Sequence, residues 1–166
     1  MRPASHRASA LLLLAIATAP GCATRPEPPV VHAFRLLPGM DLRQEIQRRC
    51  ETHGIEAGWV AACVGSLTDH CLRFADRSEG TSGTGRFEIV SLTGTVSKNG
   101  SHLHLAISDG DGRTIGGHLL DGCRVYTTAE IVLCESKDHV FARELDGSTP
   151  WKELQIRYRA RAASPQ

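Results

Sequence analysis

Several absences bound what this chain of 166 residues can do. Charge of one sign is missing: 19 basic residues face 18 acidic ones, for a net charge of +1. That balance gives no global attraction to nucleic acid, where a basic domain or stripe is expected. No apolar run after the first twenty residues is long enough to cross a bilayer. No Cys-x-x-Cys spacing occurs, so the usual signature of a thiolate zinc site or a redox pair is lacking. Gly-x-Ser-x-Gly and His-Glu-x-x-His are also absent, which removes the known motifs of serine hydrolases and zincins. Strong helix runs are few against 16 glycines, and this favours a sheet-rich domain of ordinary size.

The N-terminus reads as a separate segment. Arg2 and Arg7 precede an apolar run from Ala10 to Ala19, and small residues follow. That charged, apolar, small-residue order is an export signal. Gly21-Cys22 at its end resembles a lipoprotein cleavage site, so residues 1–22 are expected to be a signal peptide of lipoprotein type with Cys22 as the lipidated anchor. The expected location is the cell envelope, facing the periplasm. Residues 23–31, with Pro26, Pro28 and Pro29, read as a proline-rich tether. The domain proper is expected over 32–156, with 157–166 as a tail. An oxidising compartment permits disulfides. The odd set Cys50, Cys63, Cys71, Cys123 and Cys134 nevertheless lies largely in apolar runs, where cysteine acts as a small buried hydrophobe.

The pattern along the chain predicts a strand near 31–37 and an amphipathic helix opened by Asp41 and stopped by Gly54, with Leu42, Ile46, Arg49 and Cys50 on one stripe. Further strands are predicted over 58–64, 67–75, 86–96 and 123–134, with Gly65-Ser66 as a turn and 76–85 as a flexible loop. Pro150 to Tyr158 is expected to close the sheet or to pair with a partner. Together these predict an α/β (α+β) fold, a mostly antiparallel sheet with one main helix packed on it.

The chemistry concentrates in Ser101-His102-Leu103-His104-Leu105 and Gly116-Gly117-His118-Leu119, which hold three of the eight histidines. Alternation on a strand puts His102 and His104 on one face, roughly 6–7 Å apart. Asp109-Gly110-Asp111-Gly112 then turns the chain so that His118 returns on the neighbouring strand. A two-residue turn would set Leu103 opposite His118 and place His118 on the wrong face. A three-residue loop or a one-residue bulge would set it opposite His102 or His104; otherwise the third ligand comes from elsewhere, such as another subunit. Three imidazoles with an open fourth position are how a reactive zinc is commonly held. The bland alternative is a row of strand histidines on a half-exposed face. His32, His53, His70 and His139 read as surface or loop residues.

Gly65-Ser66-Leu67, Arg86-Phe87-Glu88-Ile89-Val90-Ser91-Leu92-Thr93-Gly94, and the block from His102 to Leu119 together resemble the plants-and-prokaryotes-conserved (PPC) domain family. The resemblance covers roughly His32 to Ile156. It implies a mostly antiparallel α/β fold, a homotrimer, and in some bacterial members a metal held by histidines that match His102, His104 and His118. A related zinc-binding ester-hydrolase domain uses a similar triad. The plant members carry their DNA contact in AT-hook segments, and no Arg-Gly-Arg core is present here.

Two functional readings follow. One is a zinc-binding envelope protein, either a trimeric module that captures a small ligand or a small metal-dependent hydrolase. In the hydrolase case Glu88 is the candidate catalytic carboxylate, as an acid in an apolar strand. The alternative is the DNA-associated role that the family label implies, for which Arg157, Arg159 and Arg161 form the only basic cluster. The missing AT-hook and the export signal argue against a nucleic-acid partner.

Overall fold

Short runs rich in Val, Ile, Thr and aromatics, punctuated by Gly and Asp turns, become strands, and the single three-to-four-spaced stretch becomes the helix. The computed structural model describes residues 27–159, so the expected export signal, Cys22 and Arg161 lie outside the described residues. In chain order the elements are β1 (Val30–Leu36), α1 (Leu42–Thr52), β2 (Gly58–Arg73), β3 (Thr81–Ser97), β4 (Gly100–Ser108), β5 (Thr114–Leu119), β6 (Val125–Glu135), β7 (His139–Glu144) and β8 (Glu153–Tyr158). None of the helices among the described residues is long and apolar enough to cross a membrane.

Six strands form one antiparallel sheet in the order β1-β6-β2-β3-β4-β5. The far end of β2 also pairs with β5, Leu72 opposite Leu119 and Arg73 opposite His118, so β2, β3, β4 and β5 close into a ring. One face of this sheet holds the core: Leu103, Leu105 and Ile107 of β4 and Ile131 and Leu133 of β6 are all buried. The helix lays Leu42, Ile46 and Cys50 into the same cluster, each large aliphatic side chain contributing about 1.5–3 kcal/mol by leaving water. Asp41 starts the helix with one carboxylate oxygen, accepting from Gln44 N at 3.0 Å, and ties the β5–β6 turn with the other, accepting from Gly122 N.

Strands β7 and β8 form a separate antiparallel ribbon. The expected closing strand near the C-terminus thus exists, but its partner is β7, whose six residues show little periodic signal. The ribbon is fastened to the sheet where Arg143 Nη2 donates to Thr95 Oγ1 at 2.8 Å.

Four expectations are corrected. Gly65-Ser66 is not a turn: β2 runs straight through it, because Gly65 takes a φ of +141° and shifts the register against β6 instead of reversing the chain. Residues 81–85 are not loop but the start of β3, the backbone of 81–84 laddered to 69–72 although the side chains of Thr81, Ser82 and Thr84 stay exposed. The expected tether loses its last two residues, Val30 and Val31, to β1. His70 is buried, its ring edge-on to Phe87 at 5.0 Å, and His32 Nε2 reaches the buried Glu135 carboxylate at 3.0 Å. The five described cysteines are unpaired. Burial pushes the thiols of Cys50 and Cys63 up to about 12 and that of Cys123 up to about 11, so they sit as inert apolar groups.

Candidate metal centre

The position of the histidines follows from the pleat. Leu103 and Leu105 are drawn into the core, so His102 and His104 project from the opposite, outer face of β4. The return hairpin is the three-residue loop Gly110-Asp111-Gly112, closed where Asp109 N donates to Arg113 O at 3.0 Å. The Asp109 side chain holds the loop by accepting from the backbone N–H of Asp111 and Arg113. The odd loop sets His104 opposite His118, with Ile107 opposite Ile115 and Ser108 opposite Thr114. All three imidazoles therefore share one face.

Their ring centroids form a triangle of 5.0, 5.0 and 5.7 Å. One ligand atom from each lies within 4.8 Å of the others. His102 Nε2 and His104 Nε2 stand 3.2 Å apart, close to the ~3.3 Å that separates two nitrogens on one tetrahedral ion with bonds of ~2.05 Å. The Nδ1 of His118 is buried with no hydrogen-bond partner among the described residues. A nitrogen triad of this span, with an unsatisfied buried member, fits a divalent transition ion.

Electrostatics keeps two of these rings neutral. Burial holds His118 down at about 4, helped by the charges of His102 and Arg73. Burial first, then Arg143 and His104, lower His102, while Glu153 acts the other way. A neutral ring is the form that binds metal. The lowered His118 has a consequence for stability. In the unfolded chain this histidine takes a proton below about 6.5, whereas the folded chain refuses it down to about 4. Its contribution is complete above pH 6.5 and is lost as pH falls through that window. In the chelator-treated chain, the unfolding temperature should drop between pH 6.5 and 4, and the drop should be smaller in His118→Gln.

Two hollows flank the triad. A cleft of about 430 Å³ is bounded by His102 and His118 on the sheet and by Arg143, Trp151, Lys152 and Glu153 on the ribbon side. A shallower groove of about 360 Å³ runs past His102, His104, Thr93 and Thr95 to Glu153. Glu153 lines both. Glu88, the expected carboxylate, stands elsewhere: it is exposed and pairs with Ser108, four residues and so about 13 Å along β4 from His104. Glu153 lay in a stretch legible only as a possible closing strand, and nothing local tied it to residues 50 positions earlier. Among the described residues the C-terminal basic residues do not form a free stripe, since Arg157 pairs with Glu144 at 2.6 Å and Arg159 with Glu56.

Comparison with known proteins matches this architecture. The family model of the Plants and Prokaryotes Conserved (PCC) domain matches residues 24–137. The match ends just before β7, so Arg143, Trp151 and Glu153 lie beyond it. A hypothetical protein from Salmonella cholerae-suis shares 39% of its sequence and superposes with a TM-score of 0.77 over 82% of this chain and 100% of that one. A metal-containing protein from Archaeoglobus fulgidus is 25% identical, with a TM-score of 0.67 over 79% of this chain and 96% of that one. Bifunctional protein GlmU from Synechococcus sp. (strain JA-3-3Ab) is 47% identical over 135 residues, which is 81% of this chain but 22% of that protein. The chain thus spans about a fifth of that relative's length.

Proposed function

The chain belongs to the Plants and Prokaryotes Conserved domain family, and from that premise we propose that it is a metal-binding module whose His102, His104 and His118 hold one divalent transition ion, zinc first, beside a cleft for a small molecule. The observation that carries the reading is the convergence of three imidazoles from two paired strands on one face, within 4.8 Å of each other. The relative from Archaeoglobus fulgidus described as metal-containing supports it. When bound, such an ion supplies Lewis acidity and lowers the pKa of a coordinated water. The chain's own residues supply position and neutrality: the β4–β5 register aligns the rings, burial keeps His102 and His118 unprotonated, and the ribbon walls the cleft. Elemental analysis of the purified chain tests the proposal. About one zinc per chain supports it, and no metal after reconstitution sinks it.

A hydrolase reading of the same site is favoured by Glu153, a carboxylate that shares both hollows with the histidines and is placed to take a proton. Turnover of simple esters that disappears in Glu153→Gln, with the metal retained, would support it; no turnover leaves a binding module. The proposal extends to a trimeric assembly, supported by the family, and to the envelope as location, supported by the signal-like order of residues 1–22. Sedimentation of the purified chain and fractionation of producing cells check these two extensions.

A further inference from the structure

The cleft beside the histidines is more basic than a nearly neutral chain leads one to expect. Arg43, Arg73, Arg143 and Lys152 line it, against the single carboxylate of Glu153. Of the four cations only Arg43 has an ion-pair partner among the described residues, Asp121. Arg143 is half-buried and donates to a neutral hydroxyl, Thr95 Oγ1; the one carboxylate whose charge acts on it is Glu153, which makes no direct ion pair with it. Among the described residues Arg73 makes one side-chain hydrogen bond, to the backbone carbonyl of Arg77 at 3.4 Å, and its guanidinium sits 5.9 Å from the Trp151 ring centroid. Partly buried guanidinium groups are normally matched by a carboxylate or phosphate, because leaving water without a counter-charge is costly. One further detail points the same way. Trp151 is 67% exposed, although a large apolar ring is usually covered.

We infer that the cleft binds a small organic oxyanion, a carboxylate or phosphate group held between Arg73 and Arg143, with a flat apolar body against Trp151. Arginine suits this task because its planar fork matches both groups in a bidentate manner. The cleft volume of about 430 Å³ is within the range of small-molecule sites. The inference deepens the reading above and rests on it for the ion beside the bound molecule, but the arginines and the tryptophan belong to the chain with or without metal.

The test is calorimetric titration of the full chain, chelator-treated and zinc-loaded, with benzoate, phenyl phosphate and benzyl alcohol. The expected result is that one of the two anions binds at least tenfold tighter than the neutral alcohol in the metal-free chain. Arg143→Gln and Arg73→Gln should each lose at least tenfold of that affinity with the zinc content unchanged, and the preferred anion identifies the oxyanion class. Anion binding no tighter than the alcohol, or affinity in both variants undiminished from that of the unaltered chain, overturns the inference. If Arg143→Gln does not fold, Arg73→Gln carries the test alone. Zinc without anion binding would reject this inference and keep the metal centre; arginine-dependent anion binding without zinc would do the reverse.

Discussion

A chain carrying His102→Ala and His104→Ala is expected to purify without metal where the unaltered chain holds about one ion. The two side chains supply two of the three converging ligands, their Nε2 atoms 3.2 Å apart. Groups that merely orient a ligand are worth ~10–100-fold in metal affinity. Removing two direct ligands should therefore cost more than ~10³-fold. The fold should survive, because both rings point outward and are exposed while Leu103 and Leu105 beside them keep their buried places. Substitutions of that kind usually shift stability by within about 0.5 kcal/mol. Elemental analysis with a parallel denaturation curve separates the outcomes. Metal retained by the double variant would show that these histidines are not its ligands. A variant that neither folds nor binds would leave His118→Ala as the cleaner probe of the same site.

Most of the fold was legible because its signals are local. The stripe of Leu42, Ile46 and Cys50 with Asp41 before it and Gly54 after it fixes the helix to within a residue. The alternation from Phe87 to Val96 fixes the middle of β3. What local signals miss is pairing that depends on distant partners. Gly65 looks like a turn residue, yet its φ of +141° serves a bulge, because β6 lies so near that a Cβ would meet Thr128 O at 2.1 Å. Thr81–Gly85 has a loop composition and is held as strand by the long arm of β2. The short β7 is stabilised by β8 and by Arg143 on Thr95, neither of which is visible in its own six residues.

The candidate site divides along the same line. His102 and His104 can be assigned to one face from alternation alone. His118 could be placed only conditionally, because one residue of loop length decides its face. Asp109 settles that length by capping the N–H groups of Asp111 and Arg113. Glu88 attracted notice as an acid in an apolar run, but a strand position says nothing about distance to a metal, and its partner Ser108 puts it beyond reach. Glu153, Arg143 and Trp151 come to the histidines only through the packing of the ribbon on the sheet, a long-range event with no local trace.

The second large effect is expected at a glycine. Gly94 sits opposite Leu103, between the pairs Thr93–His104 and Thr95–His102, so it lies under the centre of the histidine strand. Its φ is +142°, a region that side chains rarely adopt, and a Cβ there would meet the His102 carbonyl oxygen at 2.0 Å and Leu103 Cα at 2.9 Å. The obstacles are backbone, so no rotamer change relieves them; either β3 leaves its φ region or β4 moves away. A strained backbone position alone costs about 1–3 kcal/mol, and the collision adds to it. Gly94→Ala should therefore lower unfolding stability by about 3 kcal/mol or more, a large share of the ~5–15 kcal/mol of an ordinary domain. Displacing β4 also displaces both Nε2 ligands, so whatever chain remains folded should bind zinc more weakly. Gly110→Ala is the matched control, since a Cβ there meets nothing within 4 Å. Urea denaturation of the two variants, each with a zinc titration, decides the matter. Equal midpoints would mean that β3 and β4 do not approach as closely at Gly94 as the register requires. A large loss confined to Gly94→Ala, with weakened zinc binding, would tie the metal centre to that close approach.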